Sequence, residues 1–190
     1  QFAIFQKKTS MRDFVSALKH ARESRKFYTE NEEQDYQNAY EYLRSAEPKT
    51  YASMLSISDK RGGQVRDHEF EIAMNRYAGR LASAYDDYLK KSNRVDYDDL
   101  IIFASRYLDE PETLARWSTR YKYIVVDEMQ DTSVLEYSVL KRIFGKNNVM
   151  MCGDFFQSIY EWRGSRPEYV LDDFIKNFHA KIYMFSENYR

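Results

Sequence analysis

The stretch Tyr123-Ile124-Val125-Val126-Asp127-Glu128-Met129-Gln130-Asp131-Thr132 decides the fold class. It opens as a short apolar run, rich in β-branched residues, that suits a buried parallel strand. It then breaks into acidic and amide side chains at the strand's carboxyl end, the edge where open α/β sheets bind ligands. A second stretch has the same design: Val149-Met150-Met151-Cys152-Gly153-Asp154-Phe155-Phe156-Gln157-Ser158-Ile159-Tyr160-Glu161-Trp162-Arg163-Gly164. Adjacent acids at such an edge suit a hydrated Mg²⁺ ion and the activation of a water.

Working outward, strands are expected over 121–126 and 148–152. Ser133-Val134-Leu135-Glu136 reads as a capping box that opens a helix ending near Gly145. Residues 155–161 suit a tight turn or short helix. Ser165-Arg166-Pro167-Glu168 caps a further helix to about Asn177, and residues 180–185 read as a third strand. Strand, helix, strand, helix, strand predicts βαβ units and a parallel sheet.

Upstream the pattern is helical. Residues 1–10 suit a short extended lead-in, and Ser10 to Asp13 offers a capping box. Met11, Phe14, Val15 and Leu18 fall on one helical face. A second helix is expected over 32–45, with Tyr36, Ala39, Tyr40 and Leu43 in register and Pro48 closing it. Residues 49–66 are ambiguous, with an exposed turn at Asp59-Lys60-Arg61-Gly62-Gly63. A long helix follows over 67–91, its stripe Phe70, Ala73, Tyr77, Leu81, Ala84, Tyr85 and Tyr88, and another spans 97–108. The boundary is placed near residue 92: an all-helical unit over 1–92, an α/β unit over 93–190.

At 190 residues the chain can bury a real core. Charged residues make up 31%, yet the net charge is −1, which argues against a generally basic nucleic-acid-coating protein. A narrow track of aromatic residues and a few cations is not excluded. Gly and Pro number only 6 and 3, which favours long helices. The single Cys152 has no partner for an internal disulfide, so a reducing cytoplasm fits. No apolar run approaches the ~20 residues of a membrane span, and no secretory signal pattern is present.

The two acidic strings resemble the ATPase motif and the following motif of the UvrD/Rep-like superfamily 1 DNA helicases. The first family motif is a hydrophobic strand followed by Asp-Glu-x-Gln-Asp; the second is Gly-Asp-x-x-Gln-Ser-Ile-Tyr-x-Trp-Arg-Gly. Glu187-Asn188-Tyr189-Arg190 and Val95-Asp96-Tyr97-Asp98-Asp99-Leu100 match two further elements, in the same order. The resemblance spans about 95–190. It implies half of a RecA-like parallel sheet with flanking helices, preceded by an all-helical inserted subdomain. The family's phosphate-cradling loop, G-x-x-x-x-G-K-[ST], is not in this sequence; the only Gly-Lys pair, Gly145-Lys146, is followed by Asn147. The expectation is an internal piece of the first motor domain of a larger helicase, inactive as an ATPase by itself.

The resemblance implies ATP and Mg²⁺ as cofactors. Asp127 would hold Mg²⁺, Glu128 would be the catalytic base, and Gln130 is counted with the nucleotide-binding residues of the motif. Gln157 would sense the γ-phosphate, Tyr189 would stack on adenine, and Arg190 would reach the γ-phosphate. Tyr160 and Trp162 would stack on single-stranded DNA, at about 1–3 kcal/mol per base; core packing is the competing reading for Tyr160. Arg163 is read either as a phosphate contact or as a salt bridge, and Tyr189 and Arg190 either as site residues or as a frayed end.

The partners implied are single-stranded DNA, single-strand/double-strand junctions and the remainder of the parent helicase. Lys60 and Arg61 are placed to touch duplex DNA or to lie solvated. The sequence departs from the family at Met129, usually aromatic, and at the apolar pair Phe155-Phe156. Asp96, Asp98 and Asp99 read as an acidic helix start, and His20, His68 and His179 as structural or surface residues. Movement is expected 3′ to 5′, in repair or replication. A helicase-nuclease subunit and a non-catalytic DNA-repair module are the alternatives. The strand over 148–152 is expected to leave an unpaired apolar edge that invites self-association.

Overall fold

The computed structural model describes residues 8–58, 64–145, 147–158 and 165–185. The N-terminal half is a helical unit. Helix α1 (Lys8–Ser24) packs against α2 (Glu32–Ala46), and α2 packs along α4 (His68–Lys91). Between them lie a short α3 (Pro48–Met54) and a hairpin of β1 (Ser56–Ser58) and β2 (Gln64–Arg66), paired antiparallel. The expected turn at 59–63 lies outside the described residues.

Each helix start has a local cause. Asn31 caps α2 through Gln34 N, and Asp67 caps α4 through Phe70 N. Helix α1 begins at Lys8, so the Ser10–Asp13 box sits within it; nothing in Lys8-Thr9 breaks a helix. Pro48 does not merely close α2. It occupies the first turn of α3, where its missing N–H costs nothing, and Glu47 ends one helix and starts the next.

The core of this half joins Phe14, Leu18, Tyr36, Tyr40, Met54, Leu55, Phe70 and Met74. Phe14 meets Phe70 edge-on at 5.4 Å between centroids. The expected faces of α1 and α2 are the buried ones. The face of α4 is so only in part: of the expected stripe Phe70 is buried and Ala73, Leu81 and Tyr85 pack against the core. Phe70, Met74, Ala78, Ala82, Asp86 and Leu89 are buried, while Tyr77, Ala84 and Tyr88 are exposed. The cause is close helix approach. A Cβ on Gly79 would lie 2.3 Å from the Glu33 carbonyl oxygen, so the small residues face α2 and the large tyrosines turn away.

Helix α4 ends at Ser92, and Asn93 takes a positive φ of 51°. Helix α5 (Tyr97–Tyr107) follows and binds the two halves together. Its start is a capping box of Asp96 and Asp99, and both carboxylates also accept from the buried Lys19 of α1, at 2.8 and 2.7 Å. His20 pairs with Asp98 at 2.9 Å, and Arg106 donates to the buried Glu23. On its other side, Arg142 donates to the carbonyls of Ser105 and Leu108. The acidic helix start is thus structural, and His68 is exposed at the surface.

Helix α6 (Pro111–Arg120), absent from the sequence expectation, opens with Pro111 and buries no residue. Strand β3 (Tyr123–Val126), helix α7 (Val134–Phe144) and strand β4 (Asn148–Met151) then form one βαβ unit. β3 and β4 pair in parallel, Val126 beside Met151. Ser133 and Glu136 make the expected capping box of α7. Helix α8 (Pro167–Phe178) begins at Pro167 with no side-chain cap. Ser165 instead forms an antiparallel bridge with Ser133. A second core of Met129, Tyr137, Phe144, Val170 and Phe174 covers one face of the sheet.

The other face is open: Tyr123, Val125 and Met150 are exposed. The expected third strand over 180–185 does not form. Those residues carry no regular structure, and Ile182, Tyr183, Met184 and Phe185 are exposed. A strand needs a partner edge and a face to bury, and this segment has neither here. Among the described residues, the parallel sheet is β3 and β4 alone. The architecture is α/β, mostly helical, with a small two-stranded parallel sheet. No helix among the described residues is long and apolar enough to cross a membrane.

Candidate active site at the carboxyl ends of β3 and β4

The two strands end level, and the ladder runs on past them. Cys152 N donates to the Val126 carbonyl at 2.8 Å, and Met129 N donates to the Cys152 carbonyl at 2.9 Å. The two acidic strings therefore leave the sheet side by side. Met129 turns inward and joins the second core, 3% exposed. It fastens the first string to α7 and α8. This is the gap-filling role that Met suits.

Asp127 and Glu128 are exposed at the strand end. Asp127 Oδ1 accepts from Glu128 N at 2.9 Å. Glu128 sits in the left-handed region, φ 52° and ψ 42°. For a residue with a Cβ this costs on the order of 1–3 kcal/mol, and such strain gathers at functional sites. Asp131 follows in a short 3₁₀ turn, Met129–Asp131.

Gln130 links the strings. It is 1% exposed. Its Nε2 donates to Glu128 Oε2 at 2.6 Å, and its Oε1 accepts from Asp154 N at 3.0 Å. Asp154 in turn caps the 3₁₀ turn Phe155–Gln157: Oδ1 accepts from Phe156 N at 2.9 Å, and Oδ2 accepts from Gln157 Nε2 at 2.8 Å. A hydrogen-bonded path runs from the Glu128 side chain through that of Gln130 to the backbone N–H of Asp154, whose carboxylate holds Gln157. Ser158 ties the second string back to the first by donating to the Gln130 carbonyl at 3.3 Å.

Gly153 makes this approach possible. A Cβ there would lie 2.5 Å from Gln130 Oε1 and 2.6 Å from Met129 Cγ. Sequence reasoning gave Gly153 and Asp154 no role. Their signal was the Gly-Asp pair that directly follows the strand. Phe155 and Phe156 project outward from the same turn, Phe156 fully exposed.

The donor chemistry suits a magnesium–phosphate ligand. Among the described residues Asp127 Oδ2 accepts no hydrogen bond, which leaves a hard oxygen at the exposed edge. Mg²⁺ keeps several waters and takes one or two carboxylates with substrate phosphates. No group of three or more His, Cys, Asp or Glu among the described residues is arranged as an all-protein cage. The structure brings together Asp127, Glu128, Gln130 and Gln157. Tyr160, Trp162, Arg163, Tyr189 and Arg190 lie outside the described residues.

The UvrD/REP helicase N-terminal domain family model matches residues 1–179. An ATP-dependent DNA helicase PcrA from Leuconostoc citreum is 34% identical over 150 residues, 76% of this chain and 20% of that protein. PcrA from Bacillus subtilis is 33% identical over 157 residues, 77% of this chain and 21% of that protein. The ATP-dependent DNA helicase Rep of Escherichia coli is 38% identical over 109 residues, 56% of this chain and 16% of that protein. The chain spans about a fifth of the length of the curated relatives it matches. With a family model over nearly its whole length, the chain belongs to the UvrD/REP helicase family.

Proposed function

We propose that this chain is the part of an ATP-dependent DNA helicase that holds the hydrolytic acids and passes their state to single-stranded DNA. The observation that supports this most is the hydrogen-bonded path Glu128–Gln130–Asp154–Gln157, which crosses between two adjacent strand ends through the Asp154 N–H. Relatives named as ATP-dependent DNA helicases support the choice of nucleotide and of DNA. In this reading residues 1–92 are the inserted helical subdomain and 93–190 half of a RecA-like core. Movement runs 3′ to 5′, in repair or replication. We place it in the cytoplasm, on the single free Cys152.

Bound Mg²⁺ would neutralise phosphate charge. Asp127 would hold it through the free edge of its carboxylate. Glu128 takes the proton of the attacking water, and its unusual backbone presents the carboxylate beyond the strand end. Gln130 fixes that carboxylate by its amide N–H. Gln157 senses the terminal phosphate, as glutamines do in other nucleotide hydrolases. Tyr160, Trp162 and Arg163 serve the DNA, Tyr189 stacks on adenine, and Arg190 meets the γ-phosphate.

The test is Glu128→Gln in the whole protein. Turnover is expected to collapse while ATP binding persists, because the amide keeps the shape but cannot take a proton. Asp127→Ala is expected to weaken Mg²⁺-dependent binding as well. Near-normal turnover in Glu128→Gln would remove Glu128 as the base. For residues 1–190 alone, the open edge of β4 and exposed Met150 support self-association. Sedimentation as a monomer at all concentrations would exclude it.

A further inference from the structure

We propose that Arg166 is a positioning residue that fastens the second acidic string to the helical half, so that engagement of DNA by that string is felt at α3. The proposal rests on the function proposed above.

The second string is tied on either side of the residues assigned to DNA. Midway along it, Ser158 donates to the Gln130 carbonyl. Just past its end, Ser165 bridges to Ser133, the capping residue of α7, and both serines are buried. The residues assigned to DNA, 160, 162 and 163, lie in sequence between these ties.

Arg166 is the next residue, and its side chain reaches out of the α/β half. Its Nη2 donates to Glu47 Oε2 at 2.5 Å and to Thr50 Oγ1 at 2.9 Å. Glu47 is a braced receiver. It stands between α2 and α3, its Oε1 accepts from the Tyr42 hydroxyl at 3.0 Å, and its Oε2 accepts from Thr50 Oγ1 at 3.1 Å. Both bonds leave one nitrogen, Nη2, and converge on the Glu47–Thr50 pair.

Packing does not explain the contact. Beside it, a cleft of about 70 Å³ separates Ala17, Ala21 and Leu43 from Val134 and Leu135. The apolar surfaces of the two halves do not close on one another here, so at this point, away from the α5 ion pairs, the polar contact sets where the end of the second string meets α3. Half-exposed ion pairs add little to stability, and the Arg166 side chain is 40% exposed. The contact is placed to transmit position more than to hold the fold.

The experiment uses the whole protein with Arg166→Glu, Glu47→Arg, the double swap and Arg166→Lys. Single-stranded oligonucleotide is the probe. Two quantities are read: DNA stimulation of ATP turnover, and the change in amide hydrogen exchange across α3 when DNA is added. Each single reversal is expected to cut stimulation about fivefold or more and to abolish the α3 response. DNA-free turnover should stay within about twofold. The double swap should recover most of both, and Arg166→Lys part of both.

Intact stimulation and an intact α3 response in folded Arg166→Glu would overturn the proposal, as would a double swap no better than the single variants. A wild-type protein with neither DNA-stimulated turnover nor DNA binding would instead overturn the proposed function, and this inference with it. The α3 response needs no hydrolysis, so failed catalysis and failed coupling are told apart.

Discussion

Lys19 and Glu128 mark a contrast between the two halves of the molecule. Lys19 is 1% exposed, and its ammonium lies 3.1, 2.8 and 2.7 Å from Asp86, Asp96 and Asp99. Burial alone would lower its pKa, but the hydrogen bonds to Asp96 and Asp99 prevail and hold it raised. Glu128 is exposed and sits on a strained backbone, and its carboxylate accepts from the Gln130 side-chain amide. The helical half pairs its buried charges, partly with carboxylates at the start of α5. The α/β half leaves its acids at an open edge and spends its packing on Met129 and Gly153 behind them. Buried, paired charge holds the helical half to α5; exposed charge held by a buried amide is what the proposed function uses.

The largest effect should come from breaking the structural side. Lys19→Met leaves three carboxylates without their cation, and losing one partner of a buried pair costs about 3–5 kcal/mol. Chemical denaturation of residues 1–190 should show that loss. Its counterpart, Glu128→Gln, should change stability by less than about 0.5 kcal/mol, as exposed substitutions do. In the whole protein it should lower turnover by about 10²–10⁴-fold. If both variants lose stability alike, the contrast fails.

Gly153→Ala sharpens the contrast within the α/β half. The added methyl meets Gln130 and Met129 together, so a loss of about 1–3 kcal/mol is expected, with turnover falling in the whole protein. Thermal melts and steady-state ATP hydrolysis check the two parts.

A pH series separates paired from exposed acids. Burial would raise the Asp173 carboxyl, but hydrogen bonds from Lys141 and Tyr137 hold it below the ordinary carboxylate range. A carboxylate depressed in the folded state stabilises above its unfolded pKa, about 3.9. That stability is lost as pH falls through the lower folded value. Wild type should therefore exceed Asp173→Asn in melting temperature at pH 5, and the gap should close towards pH 2. A gap that widens in acid would contradict the pairing. The smallest effect is expected at Met150, on the open face of the sheet: Met150→Thr should stay within about 0.5 kcal/mol in denaturation.

What the sequence disclosed was local. The two strings, their strands, the α7 capping box and the buried faces of α1 and α2 follow from short-range pattern, and the structure has them. The face of α4 was partly misjudged because large tyrosines outweighed small residues in the pattern. Close approach at Gly79 favours the small ones. Helix α6 was missed although its amphipathic pattern and Pro111 at its first turn marked it; it buries no residue. The short hairpin depends on a pairing between strands of three residues each, too brief to alternate visibly. Residues 180–185 have strand composition and no partner. In the site, the side chains were legible as a motif, but the Gln130 bridge and the Arg166–Glu47 contact were not. Both join residues far apart in sequence, and only folding brings them together.

The level ending of β3 and β4 limits how sequences of this kind can drift. Successive strand residues point to opposite faces, and each advances the chain by about 3.3 Å. One residue inserted within β4 would turn Met151 outward and Met150 inward, and would carry Gly153 away from Gln130. An insertion inside α7 would rotate Tyr137 or Phe144 off the core. The helix-to-strand turn that begins at Gly145 is where length can change and leave both registers intact. Variation in the spacing of the two strings should therefore concentrate in that turn, with the strand lengths held fixed.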